Sequence, residues 1–417
     1  MYQFIAEKNK KKTGFSQQQT KRNNTALLFN LVRANAPISR INLAEKTGLS
    51  ATTVSLLIEE LIENRLIKET GTADTNMRGR KPIMLEVNGD GGYFIVLELM
   101  NRGFICSLYD LSANRISLLK IKIDEIKKKN ITVNDAIYKM LKDNKISKKK
   151  LIGVNISYPG IVDGINNKLI SSTVLEISEI ITNEDIVKLI QDNPNVHLLI
   201  NNTSVVVAYA EYMLNSNFVN CTIIGMTMYE GIGAGVIIVG SKGECTHSYD
   251  MEIGHMVIER GGKKCKCGNR GCLEAICSAP AIFERINKET SLDIEYGEEW
   301  GSEINEQAVE IIKKEMELGN EKVMTIVDDF MAMLITAIVN TINMISAQHV
   351  FISGVLINML GNECIERINE QVNSLHVMKS KEKCEVQISK LDYELIRKGA
   401  VYMIMDSVFA ISSEGDN

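Results

Sequence analysis

Apolar residues recur along the chain with two different periods, and the change from one to the other divides the sequence. Between residues 25 and 64 the spacing is helical. Leu27, Leu28, Leu31 and Val32 form one apolar face, which Asn35, Ala36 and Pro37 end. Ser39 is placed to cap a second short helix over 40–47, with Leu43 and Ala44 turned inward, and Gly48 supplies the turn after it. Ser50 caps a third helix reaching about Asn64, with Val54, Leu57, Leu61 and Ile62 as its buried stripe. Residues 66–69 and 83–87 then read as two strands. From Gly92 onward, short continuous apolar runs at 93–99, 104–109, 151–157, 197–200, 222–227, 235–239 and 349–353 predict buried strands, and 330–345 predicts a core helix. This is an α/β body behind a small helical module.

Helix, helix, glycine-containing turn, helix and two strands are the parts of a winged helix-turn-helix, whose third helix reads DNA. Beyond Ser50, the outward face of that helix offers Ala51, Thr52, Thr53 and Ser55, and Arg40 opens the helix before it. Small and hydroxyl side chains let a helix sit deep in a major groove and touch phosphates or thymine methyls. Between the two strands lie Arg78, Arg80 and Lys81, cations on a glycine-containing loop that suits phosphates or a narrow minor groove. The other reading of the module is a small protein-interaction domain with a solvated basic loop. Charge bears on the choice. Residues 1–90 carry 14 Lys and Arg against 9 Asp and Glu, a net of +5, while the remainder carries 33 against 43, a net of −10. A basic module on an acidic body suits a polyanion partner, with chance unevenness as the alternative.

Composition is that of a soluble protein, 45% hydrophobic and 24% charged, and the N-terminus has no apolar run of signal-peptide length. The stretch 330–345 is broken by Asn340, Thr341 and Asn343, too short and too polar to span a bilayer, so a cytoplasmic location with no membrane partner is expected. Nine cysteines in such a chain stay reduced, and four of them lie between 265 and 277. His255, Cys265, Cys267 and Cys272 bring one imidazole and three thiols within 18 residues. Zn2+ favours such a tetrahedral set, and with four protein ligands there is no open position, so a structural ion is expected, one per chain. Gly268 and Gly271 permit the tight path between the sulfurs, and Lys263, Lys264, Lys266 and Arg270 offset the thiolate charge. Unliganded thiols in a loop are the alternative. Cys277 and Cys245 stand outside the pattern. Glu230 to Gly235, EGIGAG, lies between two strands and reads either as a phosphate-cradling loop or as a hairpin turn.

The stretch Ile38-Ser-Arg-Ile-Asn-Leu-Ala-Glu-Lys-Thr-Gly-Leu-Ser50, with Gly79-Arg-Lys-Pro82, closely resembles the N-terminal domain of regulators in the ROK family (repressors, open reading frames and kinases), of the xylose-repressor type. Tyr158-Pro-Gly160, Gly231-Ile-Gly-Ala-Gly235, Glu252-Ile-Gly-His255 and Cys265-Lys-Cys-Gly-Asn-Arg-Gly-Cys-Leu-Glu274 are similar to the body of that family, so the resemblance covers nearly the whole chain. The last motif is specific and the first two much less so. The resemblance implies a winged helix-turn-helix over 20–88 and an actin/hexokinase-like (ribonuclease H-like) body of two α/β lobes. The first lobe spans 91–200, completed by a C-terminal helix at 390–412. The second, with the zinc site, spans 201–389, and a sugar cleft lies between the lobes.

In ROK sugar kinases the Glu and His of the E-I-G-H motif, a Glu after the cysteines and an Asn-Asp pair hold the sugar, and the Asp is the general base. Asn202, Glu252, His255 and Glu274 match the binding positions here, support for the zinc site or plain surface charge being the alternatives; the base position is Thr203. A hydroxyl does not accept a proton at neutral pH as a carboxylate does. The first phosphate loop reads Glu98-Leu-Met-Asn-Arg102, without its glycine and threonine, and the adenosine-side glycine pair is reduced to Ser353-Gly354-Val355. The loop before Glu252, glycine-rich in the family, reads Cys245-Thr-His-Ser-Tyr-Asp-Met251. The expectation is a non-enzymatic, sequence-specific repressor of carbohydrate genes. It would bind double-stranded operator DNA as a homodimer or tetramer and respond to a sugar or sugar derivative. The alternatives are an active kinase with a DNA-binding module, and a regulator whose body only dimerises or binds a protein.

Overall fold

A computed structural model of the chain describes residues 17–72, 81–173, 177–215, 217–297, 303–359, 362–375 and 383–410. The N-terminal module comprises helices α1 (Gln17–Asn35), α2 (Arg40–Thr47) and α3 (Ala51–Glu63) and strands β1 (Ile38–Ser39), β2 (Ile67–Thr72) and β3 (Ile83–Val87). Its turns follow from local hydrogen bonds. The Ser39 hydroxyl accepts from Asn42 N at 3.2 Å and that of Ser50 from Thr53 N at 3.1 Å, each satisfying an orphan helix donor. Gly48 ends α2 with φ +70° and donates to Ala44 O. The α3 stripe departs from expectation by one position: Val54, Leu57, Ile58 and Leu61 are buried, and Ile62 only half so. Ile62 turns instead toward a polar groove it shares with Arg40 and Glu59. β1 is a third wing strand, antiparallel to β3 through Ile38 and Leu85, and at two residues is too short to show an alternation in the sequence.

The body holds two five-stranded sheets of the same topology. The first contains β4 (Tyr93–Met100), β5 (Gly103–Asp110), β6 (Arg115–Lys122), β7 (Leu151–Tyr158) and, beyond a hairpin of β8 (Ile161–Asp163) and β9 (Lys168–Ser171), β10 (His197–Asn202), in the order β10-β7-β4-β5-β6. β4, β5 and β6 form an antiparallel meander, while β7 and β10 add in parallel. Helices α4 (Ile123–Lys129), α5 (Val133–Asp143), α6 (Ile177–Ile180) and α7 (Asn183–Asp192) accompany it. After α8 (Thr203–Leu214) the arrangement recurs with β11 (Cys221–Met228), β12 (Ile232–Val239), β13 (Cys245–Met251), β14 (His349–Gly354) and β15 (Glu385–Ile388), in the order β13-β12-β11-β14-β15. The meander is again antiparallel and the last two strands parallel.

Two glycine-motif expectations are corrected. Only Tyr229, Glu230 and Gly231 form the turn, and Ile232 to Gly235 already belong to β12. The reason is α8, which lies on β11 and β12: a Cβ at Gly235 would stand 2.3 Å from Ser204 O, so the glycine there serves close packing and no phosphate cradle. Residues 245–251 are likewise not a loop but the edge strand β13.

Helices α9 (Leu273–Cys277), α10 (Ala279–Glu289), α11 (Glu303–Glu317), α12 (Glu321–Ile345) and α13 (Asn362–Leu375) pack around the second sheet. By length and composition α12 could cross a membrane, but Ile326, Phe330, Leu334, Ile338 and Ile342 are buried in that core. The last helix, α14 (Tyr393–Val408), packs on β7, β4 and β10 and against α8. It also meets the N-terminal module. The Phe29 ring of α1 stacks on Phe409 with centroids 3.9 Å apart, Asn30 donates to Phe409 O at 3.1 Å, and Arg33 pairs with Asp406, which also accepts from the Tyr209 hydroxyl of α8. One hydrophobic core therefore runs from Leu28, Phe29 and Val32 through Ile404 and Met405 to Val205 and Ala208.

Candidate functional site

Three features emerge: a metal-binding cluster, a cleft beside it, and an exposed reading face. The cluster begins where β13 ends, on the single turn Ile253–His255, and continues in a knuckle in which Cys265 N donates to Asn269 O at 2.8 Å and Gly271 N to Lys263 O at 2.9 Å. Gly271 has φ +75°, and a Cβ there would come within 1.6 Å of Glu259 O, so no other residue fits. The ligand atoms of His255, Cys265, Cys267 and Cys272 all lie within 4.8 Å of one another. Cys265 Sγ is 3.6 Å from His255 Nδ1, and Cys267 Sγ is 3.7 Å from Cys272 Sγ. Tetrahedral bonds of zinc length place donors about 3.6 Å (N to S) and about 3.8 Å (S to S) apart, so this set fits such an ion. Cys265 and Cys272 are buried, His255 is half-buried and Cys267 exposed. Of the four cations expected to offset thiolate charge, Lys263 is paired with Glu284. Cys277 is a core residue, as its place on α9 suggests.

His255 joins this cluster to the cleft. With Nδ1 beside Cys265, its Nε2 lies 3.8 Å from Glu252 Oε2. A cavity of about 130 Å³ there is walled by Asn202, Glu252, His255 and Glu274 together with Thr203. The chain thus gathers the four anticipated residues from β10, from the turn after β13 and from α9. Two of them have structural duties. Asn202 Oδ1 caps α8 by accepting from Ser204 N at 2.8 Å, and its Nδ2 donates to Gly160 O at 3.0 Å. Glu274 Oε2 accepts from Ile232 N at 3.0 Å. Burial at the cleft wall raises the Glu252 carboxyl above its ordinary value; His255 opposes that shift, and Asp250 and Glu274 add to it. The Thr203 hydroxyl accepts from Ser157 at 3.2 Å. Behind the cleft, burial raises the Glu98 carboxyl although Arg397 Nε donates to its Oε2 at 2.8 Å.

Sequence reasoning missed part of this wall. Asn101 and Glu230 line the same cavity, and Asn101 Nδ2 donates to Glu230 Oε1 at 3.0 Å. Asn101 stands in the altered phosphate loop and Glu230 at the head of EGIGAG, so both were in view as motif positions without a role. A second cavity of about 510 Å³ shares Tyr229 with the first and is lined by Ser353, Asp392 and Tyr393.

On the reading face, Ala51 and Thr52 are exposed, Thr53 and Ser55 half-buried, and the Ser50 and Thr53 hydroxyls bond each other at 2.8 Å. Arg40 is turned toward the wing, paired with Glu69 at 2.9 Å. Arg78 and Arg80 lie outside the described residues; Lys81 is exposed. Exposed Leu56 and Ile41, each 63% accessible, extend the face and were hidden in the sequence by their apolar character.

Comparison with known proteins agrees with this architecture. The family model "ROK family" matches residues 117–406, and "Winged helix-turn-helix DNA-binding" matches residues 25–68. A xylose repressor of Bacillus spizizenii is 33% identical over 270 residues, covering 64% of this chain and 68% of that protein. Among solved structures, a ROK-family transcriptional regulator described as a homologue of the Escherichia coli Mlc protein aligns with TM-score 0.72 at 20% identity, over 94% of this chain and 97% of that one. A ROK glucokinase from Streptomyces griseus, solved with glucose and AMPPNP, aligns with the body alone, with TM-score 0.54 at 14% identity over 75% of this chain and 99% of that one. The chain therefore belongs to the ROK family, among its DNA-binding regulators that carry a winged helix-turn-helix ahead of the body.

Proposed function

We propose that this protein is a cytoplasmic repressor of sugar-utilisation genes, with its body as a sugar sensor and not a kinase. The observation that carries the reading is the shared core of α1, α14 and α8, because α8 starts at the cleft wall with Asn202 and Thr203 and ends beside the helix that holds the reading head. A ligand that favours one arrangement of the lobes shifts the pose of the head by its differential affinity. Two heads related by two-fold symmetry would meet half-sites about one helical turn apart, which calls for a homodimer or a tetramer. The domain limits that suit this reading are 20–88 for the head, 91–200 with 390–412 for one lobe and 201–389 for the other. Ser50 to Ser55, Arg40, Arg78, Arg80 and Lys81 would contact operator DNA, and Asn202, Glu252, His255 and Glu274 the sugar. D-xylose is the first effector to try, since relatives are named xylose repressors.

His255, Cys265, Cys267 and Cys272 would hold Zn2+ as a structural ion, which when bound supplies a rigid cross-link and no open coordination position. His255 would then present its other ring nitrogen to the cleft in a fixed orientation. Thr203 lacks the proton affinity of a base, and Arg397, the cation nearest the altered phosphate loop, is taken by Glu98.

The experiment is a mobility-shift assay on the DNA upstream of the protein's own gene, repeated with a panel of sugars. Retarded DNA that a sugar releases supports the reading; failure to bind any upstream fragment sinks it. ATP-dependent phosphorylation of any sugar in a coupled assay would overturn the non-kinase part alone.

A further inference from the structure

The cleft wall has an electrostatic bias that bears on its ligand. Three carboxylates, Glu230, Glu252 and Glu274, line the cavity, and no lysine or arginine does among the described residues. The nearest imidazole, His255, has Nδ1 beside Cys265 Sγ in the metal cluster. On the side where the altered phosphate loop lies, the turn after β4 meets the turn after β11 directly through Asn101 Nδ2 and Glu230 Oε1 at 3.0 Å. These turns belong to different sheets, so one hydrogen bond spans the two lobes and closes that end of the cavity. Asn101 is 9% exposed, and its Oδ1 has no hydrogen-bond partner among the described residues. Arg397 lies nearby on α14, but its guanidinium is bonded to the buried Glu98.

We infer that the cleft takes a small uncharged sugar with a free hydroxyl at the Asn101–Glu230 end, and that this pair rejects the phosphate ester of the same sugar. The inference rests on reading the cleft as a sugar site. A buried acceptor without a partner, such as Asn101 Oδ1, is satisfied by a hydroxyl donor and repelled by a phosphate oxygen, which only accepts. A dianion placed among carboxylates with no counter-charge meets repulsion on every side, and the low dielectric of a small cavity strengthens it. The volume of about 130 Å³ also leaves little room for a phosphoryl group beyond the sugar ring.

Isothermal titration of the full-length, zinc-loaded protein tests this with four pairs of probes: D-xylose, D-glucose, D-ribose and N-acetyl-D-glucosamine, each beside its terminal phosphate ester. At least one free sugar should bind, with its ester at least about 100-fold weaker at low salt, and discrimination should shrink as salt screens the carboxylates. Glu230→Gln should reduce the discrimination about tenfold by removing one repelling charge and weakening the latch, and Asn101→Ala should weaken the free sugar about tenfold. Thermal melting of both variants checks that they fold. An ester that binds as tightly as its free sugar, or more tightly, overturns the inference and leaves the sugar-cleft reading standing. Folded variants that bind and discriminate as the parent protein does overturn the assignment of Asn101 and Glu230. If no free sugar and no ester binds, the sugar-cleft reading itself falls, and this inference with it.

Discussion

At the scale of single residues, two kinds of side chain can be separated by what they touch. Cys265, Cys267, Cys272 and His255 face one another and little else, so their value to the fold depends on an ion. Cys265→Ser should lower bound zinc from about one per chain to near none and depress Tm by on the order of 5 °C, measured by metal analysis and calorimetry. Thr52, by contrast, is exposed at the start of α3 and supports nothing internal. Thr52→Glu should leave Tm unchanged, since a carboxylate suits a helix N-terminus, yet cut operator affinity by about 100-fold or more through repulsion by phosphates. The spacing of the cysteines was legible because their ligation is local, spanning 18 residues; the roles of Asn101 and Glu230 were not, because their meeting joins positions 129 apart.

Among elements, caps and packing contribute separately. The Ser50 hydroxyl caps α3, so Ser50→Ala should cost about 1 kcal/mol in denaturant unfolding and loosen the helix presented to DNA. Both caps were readable, since a cap joins residues three apart along the chain. α8 shows the opposite case. It is buried from Thr203 through Glu211, so it carries no polar face and no helical period to detect. Its place against β12 also explains why a glycine motif that reads as a phosphate loop is strand instead. A backbone that must lie against another backbone and one that must wrap an anion ask for the same residue, and only the neighbour tells them apart.

For the whole molecule, the reading head and the body share a core, although the chain between them is short and the contacts come from its far end. Asn30 and Phe409 are 379 positions apart, and Phe409, 4% exposed, stacks on Phe29. Phe409→Ala should remove about 3 kcal/mol at this junction and make the segment before Gly92 more sensitive to limited proteolysis. It should also shrink the change in operator affinity that an effector produces, while binding of that effector, followed by titration, stays near the parent value. An unaltered response to effector in a folded variant would show that coupling takes another route than α14.

What the sequence determined by itself is what neighbouring residues decide among themselves. The two capped helices and their turn, the wing strands and the Cys3His spacing all depend on contacts within a few to about 20 residues, and these the chain states outright. The repeated five-stranded topology, the short strand β1, the seating of α1 on α14 and the latch across the cleft were decided only in three dimensions. The physical reason is that each joins segments whose local preferences are silent about one another, so burial and hydrogen-bond satisfaction across the assembled core choose the partners.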